Sequence, residues 1–407
     1  MPEDPAQEKR MQIKLSVPTN WQPQLLDRLN KTRIYEIYGK LDRDAVGGGR
    51  PPYILNSTSR CRATEHIRLV HKHGLRFNYL LNATCLGNIE WTSSGQRRIR
   101  KLLDWLAGAS VDTVTVAVPY LLQLIKKCYP VFKVKVSICS GVDNAMQARY
   151  WQELGADEIT LSSWSVNRNF GLLREIRKAV SCGLQVYANT RCLTGCPFTA
   201  YHYLAASHSS RAGGAKNDFF VDYCGLSCAY LTMLEPWRLI AGAWIRPEDL
   251  HYYGKEGINS VKLAERDIET EYIVRIVEAY TLERYDGNLM DLFVNSGKRS
   301  AGDARSFWKK FAYFFRPADV NVARLYRFLS RLPASEPVYL DNRKLDNFLE
   351  FFVQDKCGRS NCDACGYCLR KAKEALHLPE AYREKMIRFY GEFLESSLNK
   401  RLFSFTG

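Results

Sequence analysis

The sequence holds no apolar run of the roughly eighteen residues that a membrane span requires. Its opening, "MPEDPAQEKRMQIKLSV", lacks the charged-then-apolar layout of a secretory leader, so a cytoplasmic protein is expected. Neither the H-E-x-x-H signature of zinc peptidases nor the G-x-S-x-G nucleophile elbow occurs. A conventional hydrolase therefore has no visible machinery. The C-x3-C-x2-C run of radical-SAM enzymes is missing too, because Thr199 stands where the third cysteine after Cys192 and Cys196 would fall. Low-complexity tracts and fixed-period repeats are absent.

What is present is size, positive charge and cysteine. A chain of 407 residues can bury a large core without disulfide staples. Its 13 cysteines, in a reducing compartment, are better explained as metal ligands or redox groups than as a disulfide framework. The net charge of +15 fits an anionic partner: nucleic acid, an acidic protein such as a ferredoxin, or an anionic small substrate. A merely soluble basic surface is the plainer explanation.

From residue 11 to about 285, short β-rich runs alternate with helical patterns, as in βα units around a parallel sheet. Eight strands are expected, at 11–17, 33–39, 76–84, 111–118, 133–139, 157–162, 184–190 and 260–265. Helices such as "SGQRRIRKLLDWLAGA" carry apolar residues at spacings of three and four and end near Gly. The reading is an irregular (β/α)8 TIM-like barrel over residues 1–285. About seventy residues separate the last two strands, so a cysteine-bearing insertion is placed at 191–230, with "SHSSRAGGAKND" as a mobile loop within it. A helical extension (286–356) and a terminal unit (357–407) with a four-cysteine motif and a final helix complete the chain.

Two cysteine groups carry the chemistry. Cys192 and Cys196 follow the seventh strand, and Cys224 and Cys228 come later, both pairs as C-x3-C. In a parallel barrel this quartet lies at the mouth, where active sites are built. Four thiolates hold an iron–sulfur cluster or tetrahedral zinc, and the C-x3-C spacing, looser than a C-x2-C zinc knuckle, favours the cluster. Small apolar core cysteines are the bland alternative. Cys85 and Cys139 also fall at strand ends and could replace one member. The second group, "CGRSNCDACGYC", reads C-x4-C-x2-C-x2-C through Cys357, Cys362, Cys365 and Cys368. Its spacing is ferredoxin-like, which points to a second 4Fe-4S cluster, with zinc as the alternative. A cubane bound by four local cysteines has no free iron site, so an electron-relay or bracing role is expected there.

The run "VKVSICSGVDNAMQARYWQELGADEITLSSWSVNRNFGLLREI" resembles the pattern of peptidase family U32, and "INSVKLAER" is similar to that family's "LKIEGR" strand, with Lys262, Glu265 and Arg266 in the matching places. The resemblance covers roughly residues 11–285. It implies a barrel-like domain with a 4Fe-4S cluster on four cysteines. It also implies oxygen-independent hydroxylation of RNA bases or, in a paired-subunit system, of a ubiquinone precursor, with prephenate as oxygen donor in some members. The Cys224 and Cys228 pair matches the last pair of one ubiquinone-pathway subunit. That subunit's early cysteine has no equivalent after "IYEIYGKL", where "DRDAVGGGR" stands, so Cys192 or Cys196 must supply the missing ligand.

At the expected mouth, Asn82, Asn144, Ser162, Ser163, Asn189, Arg191, Glu265 and Arg266 fall at or just after strand ends. Arg191 and Arg266 could clamp an anion bidentately, and Glu265 could act as acid or base. An ion pair between Glu265 and Arg266 is the structural alternative. His202 is a candidate proton donor or ligand. His66, His71 and His73 are expected on a solvated helix face, "QRRIRK" (96–101) on an exposed one that could track phosphates, and the aromatic stripe "FWKKFAYFF" in a core. The function expected is an iron–sulfur enzyme performing an oxygen-independent redox modification, most simply hydroxylation, with a ferredoxin or reductase as electron donor. The alternatives are a non-catalytic electron-transfer or scaffold subunit forming a homo- or heterodimer with a related chain, and a true peptidase. RNA is an open partner.

Overall fold

The computed structural model describes residues 12–212, 219–266, 268–293, 304–333, 336–358 and 361–403. Eight parallel strands close into a barrel: β1 (Lys14–Pro18), β2 (Ile34–Gly39), β3 (Arg76–Leu81), β4 (Thr113–Val116), β5 (Lys133–Val136), β6 (Glu158–Thr160), β7 (Gly183–Tyr187) and β8 (Ser260–Lys262). Closure is made by β8 pairing with both β7 and β1, in the register Val186↔Val261 and Leu15↔Val261. The fold is a (β/α)8 barrel with a helical C-terminal region, as the alternation of β-branched runs and amphipathic helices predicts.

Strand alternation sorts the side chains. Leu15 and Val17, Val114 and Val116, and Val134 and Val136 point outward and are buried beneath the helices. The inward positions are polar. Ser16 donates to Glu36 Oε1 (2.5 Å), as do Asn78 Nδ2 (3.1 Å) and Lys135 Nζ (2.6 Å), and Lys135 also reaches Glu158 Oε2 (2.9 Å). Gln185 bonds Thr160, Tyr35 and Ser260 around the same axis. Each buried polar atom in this ring has a partner, which is the condition for burying charge without a net loss.

The outer helices dock by apolar stripes. In Ser93–Gly108 the buried positions are Ile99, Leu102, Leu103 and Leu106, and Thr92 caps the first turn by accepting from Gly95 N (3.0 Å). The extension does not stand apart from the barrel. Leu289, Leu292, Leu340, Leu345, Phe348 and Phe352 join the barrel's own apolar cluster, and Trp244 stacks on Phe293 and Phe348 at 5.5 and 5.7 Å. A second apolar cluster gathers Met233, Leu325, Phe328, Met386, Phe389 and Phe393 around the final helix, Glu380–Leu398.

Three local expectations are corrected. Residues 207–211 are not a mobile loop, because Ser207 accepts from Thr84 N (2.9 Å) and Ser207, Ser209 and Ser210 are buried; 213–218 lie outside the described residues. His66 leaves the solvated face of Arg60–Lys72, where its ring is buried against Trp21 and bonded to Thr19 Oγ1 (2.8 Å). The aromatic helix Ala304–Phe314 is two-sided: Tyr313 is buried, whereas Trp308 and Phe311 are exposed. No helix of the described residues is long and apolar enough to cross a membrane.

Candidate active site at the barrel mouth

The mouth is shaped by the segment after β2, "KLDRDAVGGGR". Asp44 organises it: its carboxylate accepts from Val46 N (2.9 Å), Gly47 N (2.7 Å) and Tyr79 OH (2.9 Å), and it pairs with the buried Lys40. Glycine is required for the close approach that follows. Gly47 has φ +85°, and a Cβ on Gly48 would come within 2.8 Å of Lys40 Cε and 2.9 Å of Asn82 Oδ1. Ser210 Oγ accepts from Gly48 N (2.8 Å) and donates to Gly48 O (2.9 Å), pinning the segment from above. The result is that Arg50 reaches the end of β8, where its Nη2 lies 3.3 Å from Oε2 of the buried Glu265.

Lys262, the last residue of β8, is 7% exposed. Its ammonium sits 4.1 Å over the Tyr38 ring and has no hydrogen-bond partner among the described residues. Burial, with Lys135 and Arg266 acting the same way and Glu36 and Cys139 opposing, pushes Lys262 down to about 7. Tyr38 OH donates to Leu263 O (2.6 Å), and burial raises Tyr187 to about 12 against the pull of Arg50 and Arg266. Arg50, Arg266 and Glu265 thus share one field around Tyr38 and Tyr187, and Lys262 lies over the Tyr38 ring within reach of Arg266. Asn82 adds a buried Oδ1 with no hydrogen-bond partner, while its amide donates toward Cys139 Sγ (3.6 Å). The cations of this rim are complementary to an anion, whereas the Asn82 Oδ1, an acceptor, is complementary to a donor.

The first cysteine quartet adjoins this rim. Cys192 Sγ accepts from Thr190 Oγ1 (3.0 Å), and Cys192 O accepts from Ala243 N (2.9 Å). Cys224 and Cys228 lie at i and i+4 of the helix Tyr223–Leu234, so they share one face. Burial comes first in raising Cys228 to about 12, and Cys192 and Cys196 raise it further, so these three thiols are electrostatic neighbours. Cys224 is pushed to about 12 by burial, Asp222 and Cys196. Zinc with Zn–S bonds of about 2.3 Å needs sulfurs roughly 3.8 Å apart. No group of three or more His, Cys, Asp or Glu among the described residues is arranged to hold a single metal ion.

The second quartet lines a single cavity of about 80 Å³, together with Trp237, Phe351, Phe352 and Tyr367. Asn361 caps the one-turn helix Cys362–Cys365 by accepting from Ala364 N (2.9 Å), and Gly366, at φ +60°, turns the chain so that Cys368 faces back.

The expected site residues divide. Glu265 and Arg266 are at the mouth, where Arg50 Nη2 lies 3.3 Å from Glu265 Oε2. Arg191 Nη1 is held 2.8 Å from Glu336 Oε2, a contact that ties the extension to the chain beside the quartet. His202 Nε2 lies 3.3 Å from Asp222 Oδ1, and against the opposing effect of burial this contact holds Asp222 below the usual carboxylate range. Asn144 caps the helix Ala145–Glu153, Ser162 accepts from Ser165 (2.8 Å), and Asn189 bonds Ala264 and Leu292, all structural roles. Ser163 Oγ is buried without a hydrogen-bond partner. Cys139 lies under Gly49, and Cys85 Sγ accepts from Gly87 N (3.3 Å). Sequence reasoning missed Arg50, and it quoted Lys262 without a role. The signal for Arg50 was the "GGGR" directly after β2. A cavity of about 1090 Å³ among Trp21, Tyr53, Arg62, His66 and Lys309 is lined by none of the cysteines.

The model of peptidase family U32 matches residues 59–188. An uncharacterized protease of Methanocaldococcus jannaschii is 31% identical over 312 residues, covering 77% of this chain and 80% of that protein. A solved U32 peptidase superposes with a TM-score of 0.47 at 22% identity, covering 65% of this chain and 97% of the other. FabK from Thermotoga maritima superposes with a TM-score of 0.31 at 11% identity, covering 66% of this chain and 65% of the other.

Proposed function

The chain belongs to peptidase family U32, and from that premise we propose that it is an iron–sulfur enzyme performing an oxygen-independent redox modification, a hydroxylation, of an anionic substrate at the barrel mouth. Cys192, Cys196, Cys224 and Cys228 would hold a 4Fe-4S cluster beside the substrate, and Cys357, Cys362, Cys365 and Cys368 a second one that exchanges electrons with a ferredoxin or reductase; hydroxylation with oxygen taken from water releases two electrons and two protons, and the electrons would leave by this route. When bound, the clusters supply the electron exchange that no side chain of the mouth can perform. Arg50, Lys262 and Arg266 bind and orient the anionic group. Lys262, near 7, is available in both protonation states at neutral pH, and Glu265, 3.3 Å from Arg50, accepts or returns a proton at the reacting end. The observation that supports the reading is the adjacency of this cationic rim to Cys192, itself the neighbour of Cys196 and Cys228.

The names of the relatives favour peptide hydrolysis as a second reading. A cysteine nucleophile, however, needs a lowered thiol pKa, and burial drives Cys192, Cys224 and Cys228 upward. Iron and sulfide analysis of protein purified without oxygen separates the readings. About eight irons per chain are expected, falling toward four in Cys224→Ala and in Cys357→Ala. Peptide cleavage by iron-free protein would sink the redox reading. Full iron with no ligand bound at the mouth would instead indicate an electron-transfer or scaffold subunit.

A further inference from the structure

Arg168 follows the turn after β6 and is 5% exposed, one of the least hydrated cations in the chain. Its Nη1 donates to Ile240 O (2.6 Å) and its Nη2 to Trp244 O (3.4 Å), while its buried Nε has no hydrogen-bond partner. The guanidinium carbon lies 4.3, 4.8 and 5.2 Å from the ring centroids of Trp244, Phe348 and Phe352. No carboxylate forms an ion pair with it among the described residues. A buried charge bonded only to carbonyls and stacked on rings, with no carboxylate in direct contact, is costly unless anions stand nearby. Phe352 is the link: it packs under Arg168 on one side and lines the cavity of Cys357, Cys362, Cys365 and Cys368 on the other. After burial, which lowers the Arg168 pKa, Cys368 is the first opposing influence, followed by Tyr253, the carboxylate of Asp249, and Cys357.

We propose that Arg168 is the counter-cation of the C-terminal cysteine centre, a positioning residue that stabilises its net negative charge and sets its reduction potential. The role rests on the reading that this motif binds a 4Fe-4S cluster. Four thiolates and a dicationic iron–sulfide core sum to a dianion, and uptake of one electron makes it a trianion. A fixed cation at its edge favours the reduced form, so the potential is higher with Arg168 than without it.

The test is a potentiometric EPR titration with dithionite as reductant, on the full chain carrying Cys224→Ala so that one cluster remains. Adding Arg168→Met is expected to lower the midpoint. At fixed ambient potential the reduced-to-oxidised ratio should fall about tenfold, equivalent to about 59 mV for a one-electron couple. Arg168→Lys, which keeps the charge, should move it less. Loss of iron from Arg168→Met with retention by Arg168→Lys would also support the role. An unchanged midpoint in iron-loaded Arg168→Met, or loss of iron from both variants, would overturn it. Zinc in place of iron in the parent protein would instead overturn the cluster reading beneath it.

Discussion

Replacing Lys262 by methionine removes a buried ammonium and keeps a chain of similar length, so its effect isolates the cost of that charge. In the folded protein Lys262 is pushed from 10.5 to about 7, chiefly by burial. At about 1.4 kcal/mol per pH unit, that difference corresponds to roughly 5 kcal/mol as an upper limit, and relaxation around the site makes 2–4 kcal/mol a fairer expectation. The sign follows from proton counts. Between about pH 7 and 10 the unfolded chain holds the Lys262 proton and the folded chain does not, so wild-type stability rises with pH in that window. Below about pH 7 both states are protonated and the whole penalty is present. Lys262→Met is therefore expected to be more stable than wild type at pH 6.5, with the gap closing by about 1.4 kcal/mol per unit as pH rises. Denaturant midpoints of both proteins, measured without oxygen from pH 6.5 to 9, give the difference and cancel what the two share. A gap that stays constant across the series would refute a depressed Lys262, and with it the argument that the mouth holds an unneutralised cation.

Arg50→Met should weaken binding of a small dicarboxylate by about tenfold or more, the loss of one charge-assisted contact of roughly 1.5–3 kcal/mol, and calorimetric titration would show it. An unchanged affinity would remove Arg50 from the anion site. Asp44→Ala strands the buried Lys40 and frees the backbone amides of Val46 and Gly47, so a loss of about 3–5 kcal/mol is expected in thermal unfolding. Leu103→Ala, on the fully buried stripe of its helix, should cost about 2–5 kcal/mol in the same assay while leaving ligand affinity intact.

The barrel was legible because its strands are dense in Val, Ile and Tyr and its helices keep their apolar spacing, so local pattern and global fold agree. The interior of the barrel was not. Strands buried on both faces read as apolar runs, and the inward Glu36, Asn78, Lys135 and Gln185 look like ordinary solvent-facing positions until closure turns them inward. Arg50 and Glu265 are 215 positions apart, and only the glycine-rich return after β2 brings them to 3.3 Å. His66 shows the same limit at the scale of one helix: its spacing suits an exposed face, but the β1 end supplies Thr19 and Trp21 to cover it. Arg168 carried no pattern at all, since its meaning comes from the rings and cysteines that the extension packs against it.

The two sulfur sites are joined by one stretch of chain, and this has a consequence for stability. Cys224 and Cys228 occupy the helix Tyr223–Leu234, and after it Trp237 lines the C-terminal cavity. Ile240 O and Trp244 O accept from Arg168, Ala243 N donates to Cys192 O (2.9 Å), and Ile245 N donates to Ala188 O (2.7 Å). The stretch is thus anchored at the first quartet on one side and at the second on the other. Whatever orders the mouth sulfurs restrains the wall of the distant cavity, because the amides between them open together. Removing the first centre by Cys224→Ala should speed hydrogen exchange of the amides from Trp237 to Ile245, while β3, β4 and β5 on the opposite side of the barrel keep wild-type protection. Equal exchange in both proteins along that stretch would mean that the two sites fold and load independently, and that the short connection is only a matter of topology.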